Sequence, residues 1–251
     1  MRFDDQHILV TGASGSIGQA IARAFAGAGA RVALHFHRKR AEAEALRTEL
    51  PGSGHITIGA DIADAESVRR MVDQVVAAFG SIHVLVNNAA IYLSHPVAEV
   101  DYQTWQRRWE QVIAINLIGA ANVSYCVARH MMSHGGGRIV NVSSRGAYRG
   151  EPGSTSYGAS KAGLNALSQS LAIELAPHKI YVTAVAPGWV EGGMAEETLS
   201  GPQAQAIKQQ SPLGRIARPE EVAYTVLFLA SEGAEFLTGA VVDINGASYL
   251  R

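Results

Sequence analysis

Short apolar runs alternate with helix-period segments along almost the whole chain. The runs lie at about 7–11, 32–36, 56–60, 84–86, 138–143, 181–186 and 240–244. A glycine loop after the first run opens a helix ending near Gly29, and an amphipathic segment with Ala41, Ala45, Leu46 and Leu50 follows the second. Further helical stretches are expected at about 64–79, 102–113, 117–133, 156–175 and 219–230. Strands that are apolar at nearly every position bury both faces, which implies a parallel sheet covered by helices on each side. Right-handed crossovers then wind the chain into an α/β, doubly wound, Rossmann-type sheet of about seven strands. The 251 residues carry no internal repeat, low-complexity stretch or charged linker, so a single domain is expected. The polar, irregular stretch at about 192–212 is the candidate for a substrate flap, with an ordinary surface helix as the other reading.

The net charge of -1 argues against a nucleic-acid or membrane-surface partner. Cys126 is the only cysteine, which rules out an intramolecular disulfide; in its apolar stretch it reads as a small core residue. No uncharged apolar run is long enough to span a bilayer, and the polar start of the chain lacks the apolar segment of a signal peptide. A soluble cytoplasmic protein is expected. His130 and His134 stand four apart on a helix without a third ligand, so no metal is expected.

The first strand runs into Thr11-Gly12-Ala13-Ser14-Gly15-Ser16-Ile17-Gly18. Glycines let such a loop turn sharply beside a pyrophosphate, and the helix that follows offers free N–H groups to the anion. Strand two ends in His35-Phe36-His37-Arg38-Lys39-Arg40. A carboxylate there would accept from an adenosine ribose and repel a 2′-phosphate; Phe36 does neither, and Arg38 can grip the phosphate. The segment therefore favours NADP(H), with NAD(H) still open and a solvated helix start as the plain alternative.

Tyr157-Gly158-Ala159-Ser160-Lys161 opens a helix, and the i, i+4 spacing puts Tyr157 and Lys161 side by side. An unperturbed phenol titrates at about 10, and a neighbouring ammonium and an oxidised nicotinamide are expected to lower that value and make Tyr157 a usable proton donor and acceptor. Ser144, thirteen residues earlier and just past strand five, places a hydroxyl at the carboxyl edge of the sheet, with Ser143 as its competitor. Asn116 lies between two apolar helical stretches.

Taken together these motifs resemble the short-chain dehydrogenase/reductase family, in its classical form, over essentially the whole chain. The resemblance implies Ser144, Tyr157, Lys161 and Asn116 as the catalytic set, Asn116 acting through a backbone carbonyl that holds a water. It implies dinucleotide contacts from Gly12, Ser14, Gly15, Ser16, Ile17 and Gly18, and from His37, Arg38 and Lys39. Asp61 and Ile62 would meet the adenine, while Asn88, Ala89 and Ala90, in Asn87-Asn88-Ala89-Ala90, would flank the glycine loop. Pro187, Gly188 and Val190 would lie beside the nicotinamide, near Tyr157 and Lys161. Three positions depart from the family pattern: Ser16 replaces its middle loop glycine, Ala90 stands where Asn-Asn-Ala-Gly has its glycine, and Gly192 stands where a threonine is common.

The family implies hydride transfer between a nicotinamide and a small carbonyl or alcohol substrate. The chain is most similar to 3-oxoacyl-thioester reductases and NADPH-dependent carbonyl reductases. NAD(H)-dependent oxidation of an alcohol, sugar or steroid is the alternative, and a non-catalytic NADP(H)-binding sensor is a further one. A homo-oligomer, a tetramer, is also implied, with Leu164, Leu167 and Leu171 as candidate interface positions. Arg145 and Arg149, beside Ser144, read as solvated loop arginines, with an anionic substrate tail or an acyl-carrier protein as the sharper alternative.

Overall fold

Successive residues of a strand point to opposite sides of a sheet, and here both sides are apolar. The computed structural model describes residues 1–251, the side chain of Glu197 excepted. Its elements are β1 (His7–Val10), α1 (Ser16–Gly27), β2 (Arg31–Phe36), α2 (Arg40–Glu49), β3 (Ile56–Gly59), α3 (Ala65–Phe79) and β4 (Val84–Asn87). Then come α4 (Tyr102–Ile113), α5 (Ala120–Met132), β5 (Gly137–Val142), α6 (Gly146–Arg149) and α7 (Thr155–Leu175). The chain closes with β6 (Ile180–Pro187), α8 (Glu196–Leu199), α9 (Ala204–Gln209), α10 (Pro219–Ala230) and β7 (Val241–Ile244).

The strands form one seven-stranded sheet in the order β3-β2-β1-β4-β5-β6-β7. Every pairing is parallel, with Ile8 opposite Val32 on one side and Val84 on the other. Ile8 and Val10 point into one core with Ile21 and Phe25 of α1 and Val222 and Val226 of α10. Leu9, between them, joins the other core, with Met71 and Val75 of α3 and Val123 and Val127 of α5. The period-2 alternation of a single strand thus serves two helical layers. The order reverses between β1 and β4, which opens a crevice at their carboxyl ends, the ligand position of such sheets.

Two sequence expectations change. The helices expected on either side of Asn116 form one helix, because the intervening Ala114–Gly119 is a π-helical turn rather than a break. Its wider i→i+5 bonding absorbs Asn116 without ending the helix. The same helix, Tyr102–Met132, reaches a mean hydropathy of 1.5 over eighteen residues, so a run long and apolar enough to cross a membrane does exist by length and composition. Of that window 44% is buried, against α3 and α7 among others, which accounts for its apolarity as packing surface.

Candidate active site

The glycine loop leaves β1 at Thr11 and is held from three sides. The Gly12 N–H donates to His35 Nδ1 at 3.1 Å, and the other nitrogen, Nε2, lies 3.1 Å from the Ala60 carbonyl. One nitrogen accepts, so the other carries the proton and donates. Burial pushes the His35 imidazole down to about 4, which keeps it neutral in that role. On the far side Asn88 Nδ2 donates to the carbonyls of Thr11 and Gly12 at 2.9 and 3.1 Å, and Ala89 N–H donates to Thr11 Oγ1. Gly12 has φ +63, and a Cβ there would sit 2.8 Å from Ala89 Cα. The loop is thus packed so closely that only glycine fits.

Helix α1 begins at Ser16 behind Gly15, and among the described residues no side chain caps it. Its first N–H groups therefore face the crevice unpaired by side chains, which suits a pyrophosphate. Ser14, Ser16 and Ile17 are half-buried along the same edge, and Gly18 is buried.

Phe36 ends β2, buried and packed on Gly59 of β3, and no carboxylate takes its place. His37, Arg38 and Lys39 are exposed just beyond it. His37 Nε2 lies 3.9 Å from Asp61 Oδ2, so the β2 and β3 ends share one rim. Asp61 is half-buried and accepts from Ala63 N–H at 2.9 Å. Ile62 is a core side chain, which leaves its backbone as what it can offer a ligand. These groups fit a dinucleotide: an open helix terminus for the pyrophosphate and a cationic rim at the ribose end.

The second half of the crevice brings the candidate catalytic groups together. Lys161 is buried at 3% exposure and donates from Nζ to the Val142 carbonyl at 2.7 Å. Its ammonium is 5.8 Å from the centre of the Tyr157 ring. Ser143 is buried and turned back to the Lys161 carbonyl at 3.2 Å, whereas Ser144 is half-buried with its Oγ accepting from Gly146 N–H at 3.0 Å. Of the two serines only Ser144 is arranged toward the tyrosine. Asn116 ties α7 to the loop after β4: its amide pairs with the Ile91 N–H and carbonyl at 2.8 and 2.9 Å and reaches Ser160 Oγ at 3.2 Å. Asn87 is part of the scaffold, donating to Ser124 and Asn141, which in turn donates to Ser168.

The expected lowering of the Tyr157 pKa by Lys161 is not seen. Desolvation pushes the phenol up to about 12 against the pull of the Ser144 hydroxyl, and burial brings the ammonium down to about 8. Removing both groups from water disfavours the charged form of each. This direction favours the protonated phenol, a candidate proton donor.

Pro187 and Gly188 end β6, and the Val190 backbone bridges to Ala217. Ala90 is half-buried beside Ala89. Three neighbours escaped the sequence reading. Tyr92 stands with its ring 5.1 Å from that of Tyr157. Glu151 is half-buried on the loop before α7, and burial raises its carboxyl pKa. His35 showed no motif at all, and only its place opposite Gly12 reveals it. Arg145 is no solvated arginine, contrary to the plainer expectation. It is 5% exposed, because its backbone N–H is fixed to the Pro187 carbonyl and its side chain lies under the carboxyl-terminal segment. Arg149 is exposed, as expected.

The family model described as Enoyl-(Acyl carrier protein) reductase matches residues 12–247. The chain is 38% identical over 244 residues to a 3-oxoacyl-[acyl-carrier-protein] reductase FabG of Staphylococcus aureus, covering 96% of this chain and 97% of that one. It is also 38% identical over 245 residues to a cis-4-hydroxycyclohexanecarboxylate dehydrogenase of Sinomonas cyclohexanicum, covering 97% and 96%. A crystal structure of a putative short-chain alcohol dehydrogenase from Sinorhizobium meliloti superposes with a TM-score of 0.89 at 31% identity, over 98% of this chain and 97% of that one.

Proposed function

The chain belongs to the short-chain dehydrogenase/reductase family and is an oxidoreductase of carbonyl and alcohol groups, and from that premise we propose that it reduces a small carbonyl compound with NADPH. The observation that carries this reading is the meeting of Ser144, Tyr157 and Lys161 at the carboxyl end of β5, with a phenol that burial favours in its protonated form. A nicotinamide held in the crevice would supply the hydride for the carbonyl carbon. Ser144 donates a hydrogen bond to the carbonyl oxygen as charge builds there. Tyr157 delivers its proton to that oxygen, giving the alcohol. Lys161 supplies positive charge behind the tyrosine, and Asn116 holds the loop after β4 against α7. The residues named above around Gly12, Arg38, Asp61, Asn88 and Pro187 hold the dinucleotide.

NADP(H) is favoured over NAD(H) by Phe36 and the exposed Arg38 and Lys39. Candidate substrates range from a 3-oxoacyl thioester, as the name of the Staphylococcus relative suggests, to a cyclic hydroxy or oxo acid, as that of the Sinomonas relative suggests. A homotetramer is proposed as well. Leu164 is core rather than interface, but Ile118, Tyr125, Tyr224 and Phe228 expose apolar surface on helices. Turnover of a panel of ketones, followed by loss of NADPH absorbance, tests the proposed activity. Light scattering at micromolar concentration tests the assembly.

A further inference from the structure

Arg145 follows Ser144 directly, yet the residue is only 5% exposed. Its one side-chain hydrogen bond among the described residues is to a neutral group, Ser248 Oγ, at 2.6 Å. No carboxylate pairs with it among the described residues, and a buried cation without a counter-charge is costly. Burial, and then the nearby Arg149, lower its pKa, with Glu151 opposing.

The guanidinium lines a cavity of about 150 Å³. Ile207, Gln210 and Ser211, from α9 and the turn after it, form one wall, and Trp189 another. The Trp189 indole Nε1 is buried and has no hydrogen-bond partner among the described residues. Two acids also line the cavity, and both are already matched. Glu221 is held bidentately by Arg215 at 2.7 Å, and Asp243 by Arg251 at 2.9 Å. What remains is one positive charge without an ion pair on the wall of a space that holds a few heavy atoms. Ser211 fixes the wall by donating to the Gly246 carbonyl at 2.6 Å.

We propose that this cavity binds a carboxylate, and that the carboxylate is the acidic end of the carbonyl substrate. A planar carboxylate matches the fork of a guanidinium. Arg145 follows Ser144 in the chain, so the occupant proposed is one short molecule that carries both the acid and the carbonyl, an oxo acid or its hydroxy acid. The substrate source rests on the oxidoreductase reading above; the carboxylate site does not.

The test compares 4-oxopentanoate and 4-oxocyclohexanecarboxylate with their methyl esters, using NADPH, in the wild type, Arg145→Gln and Arg145→Lys. The wild type is expected to favour the acids by about tenfold or more in kcat/KM, the scale of one charge-assisted contact. Arg145→Gln should remove that preference through KM, and Arg145→Lys should keep part of it. NADPH binding by fluorescence shows whether each variant is folded. If Arg145→Gln fails there, Ser248→Ala serves instead, and should raise KM for the acids but not the esters. A second readout is the melting temperature with NADPH and pentanoate, which cannot be reduced; an increase that depends on Arg145 is expected. Equal kinetics for acids and esters would overturn the proposal. So would a pentanoate shift without acid preference, which would mean a separate ligand, or a loss of oligomeric mass in Arg145→Gln with the preference intact, which would mean a subunit contact. If NADPH binds but no ketone is reduced, the oxidoreductase reading fails, and the Arg145-dependent pentanoate shift alone decides the site.

Discussion

Ser16 and Gly193 meet where the dinucleotide loop faces the segment after β6: a Cβ on Gly193 would lie 2.9 Å from Ser16 Oγ. Gly192 beside it, with φ +74, would place a Cβ 3.3 Å from Ser16 Cβ. The departures from the family pattern at Ser16 and Gly192 are therefore one departure. The loop has gained a side chain, and the facing segment has given one up. Gly193→Ala should weaken NADPH binding several-fold, partly through contact with Ser16 and partly because φ +59 strains any side chain. Adding Ser16→Gly should recover the contact part only. NADPH titrations of the two single variants and the double variant decide it. Strictly additive losses would show that the two positions do not interact.

Tyr157→Phe should abolish turnover while leaving NADPH affinity nearly unchanged, because the ring still packs near Tyr92 and only the hydroxyl is gone. Wild-type rates in the variant would remove Tyr157 from the mechanism.

Lys161 titrates near 8 and Tyr157 near 12, so their pH windows are separate. The ammonium is present below about 8 and is lost as pH rises through it. Reductive kcat/KM should therefore decline above about pH 8, the region where this quantity reports the free enzyme's groups. Lys161→Arg, which cannot lose its charge there, should flatten the decline at whatever rate it retains. An unchanged inflection in the variant would assign the titration elsewhere.

The sequence was most informative where local chemistry decides structure. Pro219–Ala230 is a helix with the expected limits, since Pro219 opens it and Glu221 accepts from the Arg218 N–H at 2.8 Å. Strand limits came within a residue or so because apolar runs stop where the sheet does. What it hid depends on contacts far along the chain. Arg145 is buried by a segment about a hundred residues later, with Ser248 in it. The phenol of Tyr157 is raised rather than lowered because desolvation is a property of the packed site, not of the Tyr-x-x-x-Lys spacing. Asn116 looked like a helix break, since a π-helical turn has no side-chain signature of its own.

His35 couples the glycine loop to acid pH. Its imidazole is depressed to about 4 in the fold against 6.5 when free, so below 6.5 the unfolded chain takes up a proton that the fold refuses. Stability from this group is complete above about 6.5 and is lost as pH falls toward 4, by at most about 3 kcal/mol at roughly 1.4 kcal/mol per unit. His7, His83 and His130 are lowered too, so the comparison must be between variants. His35→Gln is expected to melt lower at pH 7 and to lose less between pH 6.5 and 5. Parallel melting curves across that range would clear His35 of the role.

The proposed preference for NADP(H) turns on Phe36 and Arg38. Phe36 ends β2 paired with Gly59, so its backbone lies at the ribose end of the crevice and its side chain supplies no acceptor. Arg38, two residues on, is exposed and can meet a 2′-phosphate, with Lys39 adding attraction. A hydrogen bond between charged groups contributes about 1.5–3 kcal/mol, or roughly one to two decades, less at an exposed position in salt. The wild type should prefer NADPH to NADH by at least about tenfold in kcat/KM. Arg38→Ala should cost NADPH much more than NADH. Phe36→Asp should reverse the order, because a carboxylate there repels the phosphate and accepts from both ribose hydroxyls. Its cost is the packing on Gly59, where the ring leaves so little room that a Cβ on the glycine would lie 3.1 Å from it. The melting temperature must therefore be followed alongside the kinetics. The measurement is kcat/KM for both cofactors in all three proteins at one salt concentration. A wild type that prefers NADH, or an Arg38→Ala variant that loses both equally, would reduce the cationic rim to a solvated helix start.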